Sequence, residues 1–85
     1  MALLSAGKVG FLLAASGAAH FVVPDAFAEI TKPVFPDDTA AWVQRNGASE
    51  AAIGVAMMLR PTRKLGKLGL LGYVGWLGYS AAQNA

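Results

Sequence analysis

His20 and Glu50 are the two residues of this sequence whose types and surroundings could support chemistry. His20 is the only histidine, and Glu50 is the only acidic residue within an apolar stretch. A buried histidine can bind a metal or haem or relay a proton, although a structural, hydrogen-bonded histidine is the simpler interpretation. A carboxylate in apolar surroundings needs a partner or a proton. The sequence therefore predicts a His20–Glu50 contact, with Arg45 or Asn46 as further neighbours.

The composition indicates a protein in contact with lipid. Of the 85 residues, 55% are hydrophobic and 14% are charged, whereas a soluble domain of this length buries only roughly 60–65% of its unfolded surface. The sequence contains no cysteine, which excludes disulfides, thiolate metal sites and thiol catalysis. It also lacks a phosphate-binding glycine loop, a nucleophile beside a base and paired carboxylates within an apolar segment. We therefore expect neither an enzyme nor a metal site.

Three segments are long enough to form helices that cross a membrane, which requires about 20 residues each. One proline-rich connection and one basic turn separate them, so the predicted fold is an all-α bundle of three transmembrane helices in a single domain. The predicted elements are a first span at 2–23, an outer loop at 24–38 with at most one surface turn, a second span at 39–60, a turn at 60–64 and a third span at 62–82.

Two alternatives concern the bounds of these segments. Lys8 and the apolar run after it resemble a signal peptide, but the residues that follow are equally membrane-like, so a retained span is favoured. The second span begins at Asp38 or Thr39, either of which is a good N-cap. It either continues through Asn46–Gly47 or breaks there to leave a short interfacial helix before it.

Basic residues predict the orientation. Lys8 and the turn between the second and third spans lie on one side, whereas the acidic loop lies on the other, so the positive-inside rule places the N-terminus in the cytoplasm. Trp42, Trp76 and Tyr79 then form an aromatic belt at the outer interface. The basic turn is either a simple orientation signal or a site for anionic lipid, and its basic residues are Arg60, Arg63, Lys64 and Lys67.

Glycine recurs at every third position of the third span. Small residues allow helices to approach closely in lipid, and a step of three residues rotates by about 60° around a helix. The glycine stripe is therefore expected to pack against the first two spans and against something outside the chain; the alternative is low-complexity filler. Its members are Gly66, Gly69, Gly72, Gly75 and Gly78.

Several spaced residues resemble the pattern of the DoxX-like family of small bacterial membrane proteins. That pattern has a His-Phe before a Pro-x-x-Phe turn, a proline-bounded connection, a Gly-x-x-Glu on the second helix and a turn with proline and arginine into the third. The resemblance covers about residues 14–72. The matching positions are His20, Phe21, Pro24, Phe27, Pro36, Gly47, Glu50, Gly54, Pro61 and Arg63.

The resemblance implies a multi-pass protein of the bacterial inner membrane. DoxX-like proteins are usually four-helix bundles, and some relatives are subunits of quinone-linked oxidoreductases. With three spans in place of four, this chain is expected to expose a groove that another protein fills. The leading hypothesis is a non-catalytic accessory subunit of a larger membrane complex, such as a quinone-linked respiratory oxidoreductase. The alternative is a component without covalent cofactors that binds quinone or lipid through His20, Glu50 and Trp76.

Overall fold

A computed structural model describes residues 5–84, and within them the chain is helical with no β-strand. The all-α class predicted from sequence is confirmed. Residues 2–4 of the predicted first span lie outside the described range. The helices are α1 (Ala6–Val22), α2 (Pro24–Thr31), α3 (Thr39–Met58) and α4 (Arg63–Gln83), with a short 3-10 helix at Arg60–Thr62 before α4.

Proline separates α1 from α2. Ser5 is the N-cap of α1, and its Oγ accepts a hydrogen bond from the Lys8 amide (3.2 Å). Pro24 then stands at the start of α2, where its missing N–H removes no helical hydrogen bond, and Asp25 lies in the first turn. α1 and α2 meet at an angle of 105°. The predicted outer loop thus contains a two-turn helix where the sequence predicts at most one surface turn.

α3 is continuous through Asn46 and Gly47, which answers the question that the sequence leaves open. Its N-cap is Asp38, which adopts a left-handed conformation (φ 54°) and makes no capping hydrogen bond with its side chain. The hydroxyl of Thr39 instead donates to the carbonyl oxygen of Phe35 (2.8 Å) and fixes the preceding turn.

The turn between α3 and α4 satisfies the last carbonyl groups of α3. Thr62 Oγ1 donates to the carbonyl of Ala56 (2.8 Å), and Arg63 donates from Nε to Met57 (2.8 Å) and from Nη2 to Met58 (3.1 Å). These bonds replace partners that a helix C-terminus lacks. Arg63 is therefore committed to the fold, whereas the other basic residues of the predicted lipid site are exposed: Arg60, Lys64 and Lys67.

Four glycines bring α1 and α3 into backbone contact. A Cβ built on Gly17 would lie 2.5 Å from the Gly47 carbonyl oxygen, and one on Gly54 would lie 2.5 Å from that of Gly10. The reverse contacts are also closer than a real Cβ allows, at 2.9 Å from Gly47 to the Gly17 oxygen and 2.6 Å from Gly10 to the Gly54 oxygen. The two glycines of each helix are seven residues apart in sequence. The antiparallel helices therefore meet through the α-hydrogens of glycine, as in weak Cα–H···O contacts.

The glycine stripe of α4 is packed only in its first part. A Cβ on Gly66 would lie 2.6 Å from Met57, and one on Gly69 would lie 3.4 Å from Ile53, both on α3. A Cβ on Gly72, Gly75 or Gly78 would meet no described atom within 4 Å. Within residues 5–84 the packing partner of the stripe is thus α3, and its second half is open.

Among residues 5–84, no helix taken singly has both the length and the apolar character needed to cross a membrane. Only α1 and α2 taken together reach that length and composition, across the 105° bend.

The glycine contact predicts opposite effects for the same substitution at two positions. Gly54→Ala should destabilise the fold by about 1–3 kcal/mol, because the new methyl group forces α1 away from α3. Gly72→Ala should stabilise it by about 0.5–1 kcal/mol, since alanine favours a helix more than glycine does and the site is open. SDS titration followed by circular dichroism measures both, and equal effects would contradict the packing described here.

Candidate functional site

A cluster of four polar side chains lies where α1, α3 and α4 meet, and we call Ser16, His20, Glu50 and Tyr73 the polar cluster. Glu50 is its centre. Its Oε1 accepts from the Ser16 hydroxyl (2.9 Å), and its Oε2 accepts from the Tyr73 hydroxyl (2.9 Å). His20 Nε2 lies 3.7 Å from the same Oε2. The contact between His20 and Glu50 that the sequence predicts is present in the structure.

Hydrogen bonding assigns the protons of His20. Its Nδ1 is 2.7 Å from the carbonyl oxygen of Ser16, which can only accept, so Nδ1 carries a hydrogen. Nε2, on the opposite side of the ring, faces Oε2 of Glu50 at 3.7 Å, which is beyond hydrogen-bond distance.

α2 covers the cluster from the side. The ring of Phe27 stacks on that of His20, with centroids 3.8 Å apart and planes inclined by 21°. Thr31, one helical turn later, is buried beside them. This is why the 105° bend at Pro24 matters to the site: it turns the chain so that α2 lies over His20, which is only 4% exposed.

A cavity of about 420 Å³ adjoins the polar cluster. It lies between α2, its following connection, α3 and α4, and its volume is in the range of about 300–1,000 Å³ that is usual for small-molecule sites. Its polar residues come from α1, α2 and α3 and, through Tyr73, from α4, which also supplies much of the apolar wall. The lining residues are His20, Ile30, Thr31, Val34, Phe35, Asn46, Glu50, Tyr73, Val74, Leu77, Gly78 and Ala81.

The end of α4 is held near this cavity. Asn84 Nδ2 donates to the carbonyl of Val34 (2.8 Å) and to that of Ser80 (3.0 Å). Because Val34 lines the cavity, this bond joins the connection after α2 to the C-terminal end of α4. The two walls are thus fixed relative to each other.

Aromatic rings stack next to the cavity. Phe35 lies 4.5 Å from Trp42 and 5.1 Å from Trp76, measured between ring centroids. Trp76, which the sequence predicts as a ligand contact, does not line the cavity itself but packs against Phe35, which does. Both tryptophans of the chain therefore lie one side chain from the cavity.

The predicted neighbours of Glu50 divide into two groups. Asn46 lies one turn before Glu50 on α3, is 6% exposed and lines the cavity. Arg45 is exposed and lies over the Trp42 ring, 4.8 Å from its centroid, so it is not part of the polar cluster. Sequence reasoning missed Ser16 and Tyr73 as partners of Glu50, because a hydroxyl group in an apolar helix gives no sign of which way it faces.

The fold and this site define a small helical protein with a hydrogen-bonded polar cluster at the side of a cavity. The chain belongs to the family described as Domain of unknown function (DUF8561), whose model matches residues 9–77. That range includes all of the polar cluster and the four glycines of the α1–α3 contact. No curated protein and no solved structure matches the chain.

Removing one hydroxyl tests the role of Tyr73. Tyr73→Phe should destabilise the protein by about 1.5–3 kcal/mol, since it removes a hydrogen bond to a charged group that is largely buried. Tyr79→Phe makes the same chemical change on the same helix at a residue that is 65% exposed, and it should have little effect. SDS unfolding of both variants measures the difference, and equal stabilities would show that the Tyr73–Glu50 bond is unimportant.

Proposed function

We propose that this protein lies in a lipid bilayer, in the bacterial inner membrane, and binds a small apolar molecule with a polar head, of quinone or lipid type, in the cavity beside His20 and Glu50. It acts by binding rather than by catalysis. The observation that carries the proposal is the cavity itself, with the polar cluster on one side and apolar walls on the other.

The distribution of side chains supports a lipid environment. His20, Thr31, Asn46 and Ser80 are buried, whereas large apolar side chains are exposed on the helices that surround them. Exposed apolar residues are common in soluble proteins, but buried polar groups inside an apolar exterior are informative. The largest exposures among these apolar residues are Val22 (77%), Leu71 (72%), Ile30 (68%) and Leu65 (68%).

The dimensions of the bundle fit the same proposal. Its longest axis is 37 Å, comparable with a hydrocarbon layer about 30 Å thick. The proposal depends on the surface of the folded bundle rather than on any one helix. The exposed basic residues Arg60, Lys64 and Lys67 lie at one end of α3 and α4, where they suit a cytoplasmic face with anionic head groups.

A quinone is one candidate ligand because of the resemblance to DoxX-like proteins, some of whose relatives belong to quinone-linked enzymes. A lipid is the other, since the walls formed by Ile30, Val34 and Leu77 suit an acyl chain. In either case the ligand would not be covalently attached, because the chain has no cysteine and the polar cluster is engaged in its own hydrogen bonds.

Binding can be tested by filling the cavity. Ala81 lines it and its neighbour Ala82 does not, so Ala81→Phe should lower the affinity for decylubiquinone or for a short-chain lipid by at least roughly tenfold, whereas Ala82→Phe should not. Retention of the radiolabelled ligand by nanodiscs that contain the chain, above that by empty nanodiscs, measures binding. The proposal would be refuted if the two variants bound with equal affinity or if both lost binding. It would also be refuted if the unmodified chain did not bind.

A second function, that of an accessory subunit in a larger membrane complex such as a quinone-linked respiratory oxidoreductase, is favoured by a different observation. The second half of the glycine stripe is open: Gly72, Gly75 and Gly78 have no neighbour at the Cβ position among the described residues. Glycines allow another helix to approach closely in lipid, and the adjacent Leu71 and Val74 are exposed.

Gly75→Leu tests this second function. If the stripe receives a helix of a partner subunit, the leucine side chain should abolish stoichiometric co-purification in mild detergent without lowering the stability of the isolated chain, because the position is open. Co-purification with the same stoichiometry in the variant would argue against an interface there.

A further inference from the structure

The cavity contains two buried polar side chains that the polar cluster does not use. Asn46 is 6% exposed and Thr31 is 7% exposed, and both line the cavity. Neither side chain makes a hydrogen bond to any residue of the range 5–84. Among the described residues, every side-chain nitrogen or oxygen that is fully enclosed has a hydrogen-bond partner. The polar atoms of Asn46 and Thr31 are therefore reached from the cavity.

The polar cluster itself offers little to a ligand. Both oxygens of Glu50 already accept hydrogen bonds, from Ser16 and Tyr73, and His20 faces the second oxygen. Because these groups are already engaged with one another, the polar cluster forms one wall of the cavity rather than an anchor for a ligand.

No other charged residue lines the cavity among the described part of the chain. Arg45 points instead to the Trp42 ring. An anionic head group would enter without a counter-charge, and burying an unpaired charge is costly. A cationic head group would have to compete with His20, Ser16 and Tyr73 for Glu50.

We propose that the cavity selects a neutral amphiphile whose head both donates and accepts hydrogen bonds, and that Asn46 and Thr31, rather than His20 and Glu50, bind that head. The side-chain amide of Asn46 supplies a donor and an acceptor, and the hydroxyl of Thr31 can act as either. A hydroxyl-bearing head satisfies both residues. This inference depends on the proposed binding function and specifies its ligand class.

Two sources of such a head are a glyceride and a quinol, and matched probes separate them. Monodecanoylglycerol is neutral, donates and accepts; decylubiquinone is neutral and only accepts; its reduced quinol is neutral, donates and accepts; decanoate is an anion. We expect monodecanoylglycerol or the quinol, or both, to bind roughly tenfold more tightly than decanoate in nanodiscs. Decylubiquinone should bind more weakly than its own quinol.

Two variants test the residues. Asn46→Leu should weaken binding of the preferred neutral probe by roughly tenfold, because one donor and one acceptor are lost. Gln44→Leu removes a side-chain amide from an exposed position of the same helix and should leave binding unchanged. Thr31→Val keeps the shape of the side chain and should weaken binding several-fold. It provides the test of the binding residues if Asn46→Leu does not fold.

The outcomes distinguish this inference from the proposed function. Two results would overturn the inference while leaving the cavity as a binding site. One is that decanoate binds as tightly as the neutral probes. The other is that Thr31→Val and a folded Asn46→Leu bind like the unmodified chain while Ala81→Phe does not bind. If nanodiscs that contain the unmodified chain retain no probe beyond what empty nanodiscs retain, the proposed function fails and this inference fails with it.

Discussion

The backbone contact between α1 and α3 is the constraint on which the rest of the structure depends. Gly10 and Gly17 face Gly54 and Gly47 so closely that any side chain would strike the opposite backbone. In a chain whose buried hydrophobic side chains are Phe35, Val43 and Met57 among the described residues, such contacts replace much of an ordinary core. Close van der Waals packing of this kind is how helices associate where water provides no drive.

This contact also builds the site. Ser16 and His20 lie on either side of Gly17 in α1, and Asn46 and Glu50 lie on either side of Gly47 in α3. The close approach therefore brings all four side chains together. Tyr73 then connects α4 to the same carboxylate. A helix pair held a few ångströms further apart would leave Glu50 without Ser16, and it would leave the cavity without a closed polar wall.

Part of this arrangement could be predicted from the sequence. The all-α class, the break at Pro24 and the contact of Glu50 with His20 follow from hydropathy, from proline chemistry and from the cost of an isolated carboxylate. α2 was missed because the segment 24–38 contains three prolines, yet Pro24 is the first residue of a helix, the position where proline is favoured.

The roles of the glycines could be predicted only in part. The stripe on α4 is the most regular pattern in the sequence, but only Gly66 and Gly69 of it touch another helix, whereas the decisive glycines recur at a spacing of seven on two separate helices. The spacing itself can be read from the sequence, but which glycines face each other depends on the antiparallel register of the two helices, which a single sequence does not supply. The hydrogen bonds of Tyr73 depend on the same register.

Nuclear Overhauser spectroscopy of the isotope-labelled chain in nanodiscs tests the central contact most directly. The account predicts strong cross-peaks between the α-hydrogens of Gly17 and the amide hydrogen of Ala51, and between those of Gly54 and the amide hydrogen of Ala14, because those α-hydrogens stand where a Cβ would meet these nitrogens. Resolved signals for all four residues without these cross-peaks would contradict the contact, and with it the position of the site.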